Sequence, residues 1–151
     1  MLTVRLARES DIGALAAVAA EAYRRYVPRI GREPAPMTAD YAQAVRSGLT
    51  WVAEADGDVV GLLVLVVHPD HLLLENVAVL PSAQRCGVGA RLLALAEDQA
   101  RARGLAEIRL YTNEAMTENL AYYGRHGYAE THRAEQGGFR RVFFTKHLAG
   151  R

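Results

Sequence analysis

One cysteine, Cys86, in 151 residues leaves no partner for an intramolecular disulfide, which excludes a disulfide-stapled miniprotein and fits a reducing compartment. Excess charge of either sign is also missing. Lys plus Arg number 18 and Asp plus Glu 17, so nothing in the balance calls for nucleic acid or an anionic membrane as a partner. No hydrophobic run is long. The longest, Val59 to Val67, contains Gly61 and falls well short of the roughly 20 residues of a spanning helix. Met1 to Arg5 lacks the basic start, apolar stretch and cleavage site of a signal peptide, so a soluble, cytoplasmic protein is expected. Repeats, low-complexity tracts and linkers are absent too, which predicts a single domain over 1–151. What remains is an ordinary globular composition, 50% hydrophobic and 23% charged. A chain of this length buries on the order of 70% of its extended surface, enough for a real core.

Leu2 to Leu6 reads as a short strand. Ser10 and Asp11 suit a helix start, and Ile12, Leu15, Ala19, Ala22, Tyr23 and Tyr26 recur at helical spacing, predicting a helix over 11–26 that Pro28 ends. Residues 27–37 follow as a loop stiffened by Pro28, Pro34 and Pro36. Thr38 is the expected cap of a short helix that stops before Gly48. The period then changes. Thr50 to Ala55 and Val59 to Val67 read as strands joined by a hairpin at Asp56-Gly57-Asp58, the second apolar on both faces and hence central. His68 to His71 is a turn, Leu72 to Leu80 a strand ended by Pro81, and Ser82 to Gly87 a polar loop. Val88, Leu92, Leu93, Ala96 and Ala100 share a helix face up to Gly104. A strand at Ile108 to Tyr111 and a helix over 116–126 follow, then a hairpin of Tyr128 to His132 with Phe139 to His147 about Gly137-Gly138. The order is mixed α/β (α+β), with an antiparallel first half and a crossover later.

The chemistry concentrates in residues 72–93, LLLENVAVLPSAQRCGVGARLL: strand, tight loop, helix. Gly87 and Gly89 let backbone N–H groups approach a ligand, and the helix that opens there adds its free N–H groups and positive dipole end. Such a loop suits a phosphate or pyrophosphate. A P-loop needs Lys-Ser/Thr after its last glycine, but Ala90-Arg91 follow Gly89. A dinucleotide fingerprint needs a third glycine where Leu92 stands. A strand-to-helix turn that binds nothing is the bland alternative.

Two motifs together go further. Gln84-x-x-Gly87-x-Gly89, following Asn76-Val77-Ala78-Val79 and Pro81, resembles the acetyl-CoA signature of the GNAT N-acetyltransferase superfamily. Tyr123-x-x-x-Gly127-Tyr128 resembles that superfamily's second feature, a helix tyrosine followed by a Gly-aromatic strand start. The element order matches from Leu2 to Leu148. The resemblance implies a GNAT-like fold with a mixed central sheet of about seven strands, splayed in the middle, and about four helices. It implies that the main chain of Val77, Ala78 and Val79 holds the pantetheine arm of acetyl-CoA like an added strand. It places the pyrophosphate on Gln84, Arg85, Cys86, Gly87, Val88, Gly89 and Ala90. Many relatives carry an asparagine seven residues before the tyrosine. Met116 stands there, and Asn119 or Asn113 is the substitute to examine.

Acetyl transfer to an amine requires a proton to leave the amine and one to reach the departing thiolate. Direct attack in a ternary complex needs no protein nucleophile, so Cys86 is assigned no catalytic role. Tyr123 is the expected proton donor, because a phenol with a reference pKa near 10 is protonated at neutrality. Glu75 is the candidate base, a carboxylate in an apolar strand whose partial burial raises its pKa; a solvated sheet end is the other reading. Some relatives place a carboxylate on the following strand, where this chain offers Tyr111. For the acceptor, the resemblance points to the first helices and their loop: Tyr26, Arg29 and Met37, with Tyr23, Arg32 and Pro36 nearby. Arg29 and Arg32 suit an acceptor carboxylate, or are a solvated loop. His68 and His71 lack further ligands, so no metal is expected.

The expectation is therefore an acetyl-CoA-dependent N-acetyltransferase acting on a small-molecule or peptide amine, without metal, nucleic acid or membrane. A homodimer is the association such folds favour. The alternatives are a non-catalytic acyl-CoA-binding sensor or regulatory module, and a nucleotide-phosphate binder that the missing Lys-Ser/Thr disfavours.

Overall fold

The computed structural model describes residues 1–149. Its strands form one seven-stranded mixed sheet in the order β1-β2-β3-β4-β5-β7-β6. They are β1 (Leu2–Leu6), β2 (Thr50–Ala55), β3 (Asp58–Val67), β4 (Leu72–Val79), β5 (Glu107–Asn113), β6 (Ala129–Gln136) and β7 (Phe139–His147). The helices are α1 (Ile12–Tyr23), a single turn α2 (Val27–Ile30), α3 (Tyr41–Arg46), α4 (Val88–Ala102) and α5 (Thr117–Arg125). Apart from the turn α2, that is the expected inventory of four helices and seven strands. The chain divides into two compact units, Met1–Leu65 with Asn76–Leu95, and Val66–Glu75 with Ala96–Arg151.

In the first unit, β1 and β2 pair antiparallel with Leu2 opposite Ala55, and β2 pairs antiparallel with β3. Asp56 and Gly57 both have positive φ, 52° and 86°, the backbone of a tight two-residue hairpin. Leu15, Val18 and Ala19 of α1 are buried, as are Val52 and Ala53 of β2 and Leu62 and Leu63 of β3. Each fully buried aliphatic side chain stabilises the fold by about 1.5–3 kcal/mol. Gly61 in β3 is required by packing: a Cβ there would lie 3.1 Å from Val88 Cγ1, 3.2 Å from the Ala78 carbonyl and 3.3 Å from Leu92 Cδ1. The start of α4 is thereby seated tightly on β3. An ion-pair network fixes the other end of the unit. Arg5 donates to both Asp11 oxygens at 2.8 and 3.0 Å and to Glu54 at 3.1 Å. Those bonds, with the Arg8 amide at 2.7 Å, hold the Asp11 carboxyl down at about 2.

In the second unit, β4 and β5 run parallel, and their ladder covers Leu72 opposite Ile108 and Leu73 opposite Arg109. The rest of β4 in this unit, Leu74 and Glu75, runs beyond that ladder. β5 pairs antiparallel with β7, and β7 with β6. Ile108, Leu110, Val142 and Phe144 are buried on one sheet face. Lys146 donates to Glu97 and to the His126 carbonyl, each at 2.8 Å, joining α4, the end of α5 and β7.

Two expected boundaries move. Pro28 does not end a helix. Residues 24–26 form a 3-10 turn and Pro28 sits in the first turn of α2, where its missing N–H has no intrahelical use; Gly31 at φ 86° closes it. The cap of α3 is Asp40, not Thr38, because its carboxylate accepts from the Gln43 amide at 3.0 Å.

Candidate active site

The second half of β4 leads straight into the glycine loop. Burial alternates along the strand: Asn76 and Ala78 are buried, Val77 and Val79 half-buried. Pro81–Ala83 make a 3-10 turn, and Gln84 to Gly87 an exposed turn that delivers the chain to Val88. Arg85 and Gly87 both adopt left-handed backbone, at φ 70° and 81°. For Arg85 this is an uncommon conformation, a local strain concentrated at the turn. At Gly87 a Cβ would meet nothing within 4 Å, so its φ and the open space both permit close approach. The first helical bond runs from Arg91 N–H to the Gly87 carbonyl at 3.1 Å. The N–H groups of Val88, Gly89 and Ala90 therefore precede any intrahelical acceptor. Three adjacent donors at the positive end of a fifteen-residue helix fit a pyrophosphate. The expected loop residues are thus brought together, Cys86 included, whose thiol is free and exposed.

The side chain of Gln84 donates to the Val79 carbonyl at 3.2 Å, tying the loop to the strand end. The Val77 carbonyl accepts from the Tyr23 hydroxyl at 3.1 Å and keeps a second lone pair. Behind it lies a network that sequence reasoning missed. Tyr23 Oη donates to Asn76 Oδ1 at 2.8 Å, Asn76 Nδ2 donates to Tyr41 Oη at 2.9 Å, and Tyr41 Oη donates to the Pro36 carbonyl at 2.6 Å. All three side chains are buried. The signal was present in the sequence as one amide inside an apolar strand, but its partners were not.

The residues expected at the acceptor separate. Met37 is half-buried at the end of a 3-10 turn whose amide bonds to the Pro34 carbonyl. Arg29 is exposed. Tyr26 is only 2% exposed, buried rather than open on a loop. Its ring lies beneath the guanidinium groups of Arg25 and Arg29, 4.8 and 5.2 Å from its centroid, and Arg25 donates to its hydroxyl at 2.7 Å. The helical continuation through 24–30 turns the ring inward and leaves the arginines at the surface.

In the second unit, Tyr123 is buried on α5 among rings: Tyr128 at 5.8 Å, Phe144 at 5.9 Å and Tyr122 at 5.7 Å between centroids. Tyr122, half-buried, packs its ring against His126 at a tilt, 4.4 Å between centroids, and burial pushes its phenol up. The Tyr128 hydroxyl is buried without a hydrogen-bond partner among the described residues. Desolvation, with the Glu97 carboxylate close by, pushes that phenol far up. Asn119 is half-buried in the first turn of α5, its amide group donating to Met116 Sδ at 3.5 Å. Met116 itself is core, and Thr112 donates to its sulfur at 3.4 Å. Glu75 is exposed, so the partial burial expected of it is not found; strand alternation turns it away from the face of Leu74 and Asn76. His68 and His71 stack at 4.5 Å, with His71 Nδ1 bonded to Asp70 at 2.7 Å. Among the described residues no cluster of three or more His, Cys, Asp or Glu side chains forms a metal site, and no helix is long and apolar enough to cross a membrane.

The loop, the strand before it and the Gly-aromatic turn define an acyltransferase fold of one kind, and the comparisons agree. The family model of the Acetyltransferase (GNAT) family matches residues 15–128. The chain belongs to that family and is an acyltransferase. Solved structures show the same fold at low identity. The PaiA N-acetyltransferase of Thermoplasma acidophilum, solved in complex with coenzyme A, is 18% identical with a TM-score of 0.83, over 98% of this chain and 99% of that one. The ribosomal-protein-S18-alanine N-acetyltransferase of Escherichia coli is 20% identical with a TM-score of 0.79, over 100% of this chain and 96% of that one. Ard1 of Thermoplasma volcanium is 18% identical with a TM-score of 0.76, over 99% of each chain. No curated protein sequence matches the chain.

Proposed function

We propose that the protein transfers an acetyl group from acetyl-CoA to a primary amine by direct attack in a ternary complex. The observation that carries this reading is the turn with left-handed Arg85 and Gly87 opening onto the N–H groups of Val88, Gly89 and Ala90. The backbone of Arg85 to Ala90 binds the diphosphate. Gln84 anchors the turn, the main chain of Val77, Ala78 and Val79 binds the pantetheine arm, and Asn119 stands in for the family's asparagine. Bound acetyl-CoA supplies an activated thioester. Glu75 takes the proton of the incoming amine, directly or through water, as the N–C bond forms. Tyr123 gives its phenolic proton to the sulfur as the C–S bond breaks. Arg29 and Met37, with the Tyr26 ring beneath Arg29, form the acceptor side, for a small molecule or a peptide amine. The relatives named for a ribosomal protein's alanine and for PaiA support an amine in general and leave its size open. The balanced charge supports work without nucleic acid or an anionic membrane, the single cysteine fits the reducing cytoplasm, and a homodimer is the assembly to look for by light scattering.

Calorimetry with coenzyme A, acetyl-CoA, ATP and NAD is the first test. The expected result is micromolar affinity for the two coenzyme A species only. Absence of heat with both removes the proposal. Thiol release against a panel of amines then identifies the acceptor.

A further inference from the structure

We infer that Asn76 is a positioning residue, which sets the direction of a buried hydrogen-bond chain joining the proposed acceptor loop to the strand that holds the coenzyme A arm. The inference rests on the proposed function only for the roles of those two segments; the chain itself is in the structure.

The chain has five members in the first unit. The Tyr23 hydroxyl shares its one proton between Asn76 Oδ1 at 2.8 Å and the Val77 carbonyl at 3.1 Å. Asn76 Nδ2 donates to the Tyr41 hydroxyl, and Tyr41 donates to the Pro36 carbonyl. Pro36 lies one residue before Met37, and Val77 lies in the stretch of β4 assigned to pantetheine. Direction is the important feature. A hydroxyl has one proton. Tyr41 points its proton at Pro36 because its oxygen is occupied by a donor. Only a side chain that accepts at one end and donates at the other can receive Tyr23 and still donate to Tyr41. An amide does both. A carboxylate of the same shape accepts only. With Asp at position 76, Tyr41 turns its proton inward and the Pro36 carbonyl loses its donor.

Burial makes this directional choice costly to reverse, because an unpaired polar atom in the interior forfeits its hydration. Around Pro36 the Met37 amide bonds to the Pro34 carbonyl at 3.0 Å and the Thr38 amide to the Ala35 carbonyl at 3.1 Å. Asn76 therefore holds the loop in register with Val77. Occupation of β4 by the coenzyme A arm then steadies the loop, and loss of the chain uncouples them.

Amide exchange reads this directly. In Tyr41→Phe and in Asn76→Asp, exchange at Met37 and Thr38 rises at least fivefold without any ligand. A merely structural loss speeds the core amides of Leu62 and Leu63 through global unfolding and leaves the loop amides as they were; that result overturns the inference. In the second arm, coenzyme A slows Met37 and Thr38 at least threefold in the wild type and not in Tyr41→Phe, whose affinity by calorimetry stays within twofold. Equal slowing in both proteins also overturns it. If coenzyme A gives no heat with the wild type, the proposed function fails, and the ligand-free arm still decides whether Asn76 positions the loop.

Discussion

Each unit buries a group of tyrosines, and the two groups are held in different ways. In the first, Tyr23 and Tyr41 meet through Asn76, and every polar tip in the chain has a named partner. In the second, Tyr123 and Tyr128 meet ring to ring with Phe144, and the Tyr128 hydroxyl has no partner among the described residues. Directed bonds fix orientation, and the first group sits beside the strand and loop that must be aligned. Ring packing supplies apolar area, and burial pushes the phenols of Tyr122 and Tyr128 up. Burial of the same residue type is thus met by directed bonds in one unit and by ring contacts in the other.

The largest expected effect lies in the second group. Tyr123→Phe keeps the ring contacts with Tyr128 and Phe144 and removes the hydroxyl. It should lower kcat by about 100-fold or more while leaving coenzyme A affinity unchanged. Turnover within threefold of wild type would take the donor role away from Tyr123 and leave both tyrosine groups purely structural.

Next is the other directed network of the first unit, Arg5 with Asp11 and Glu54. The Asp11 carboxyl sits at about 2, below its ordinary 3.8, mainly because Arg5 bonds it. Between these values the unfolded chain binds more protons than the folded one, so stability rises with pH there. The contribution, roughly 2–3 kcal/mol, is complete above about pH 5 and is lost as pH falls toward 2. Asp11→Ala should lower the urea midpoint accordingly at pH 7, with the gap from wild type closing at low pH. A gap that persists undiminished at pH 2 would mean that packing, not the ion pair, holds this corner. Somewhat smaller is Asn76→Leu, which removes two buried hydrogen bonds and should cost about 2 kcal/mol by denaturant titration. A neutral result would show that Tyr23 and Tyr41 do as well without direction.

Much of this architecture is legible in sequence. Strands β1 and β2 span Leu2–Leu6 and Thr50–Ala55 as read from the sequence, and Val88, Leu92, Leu93, Ala96 and Ala100 are all buried as their spacing predicts. The glycine loop is equally plain, because its function lies in backbone geometry that Gly87 and a helix start announce. The Asn76 network is not, since its bonds span 35 and 53 residues and no local pattern encodes them. The burial of Tyr26 was hidden for a related reason: Pro28 suggested an open loop, whereas a proline in a first helical turn lets the helical path continue and bury the ring. Glu75 misled because an apolar strand suggests burial for all its members, although alternation leaves one face open.

The smallest effect separates the two groups most sharply, because it has the opposite sign. Tyr128→Phe removes a hydroxyl that is desolvated and unbonded, and keeps the ring that packs on Tyr123 and lies 5.8 Å from Lys146 Nζ. Releasing an unsatisfied buried polar group should raise stability by about 1 kcal/mol, seen as a modest rise in Tm. The corresponding change at Tyr41 should lower Tm, since that hydroxyl both accepts and donates. A fall in Tm for Tyr128→Phe comparable to that of Tyr41→Phe would mean that the Tyr128 hydroxyl is satisfied in solution. The contrast between directed bonding in one unit and ring packing in the other would then fail at the residue where it is clearest.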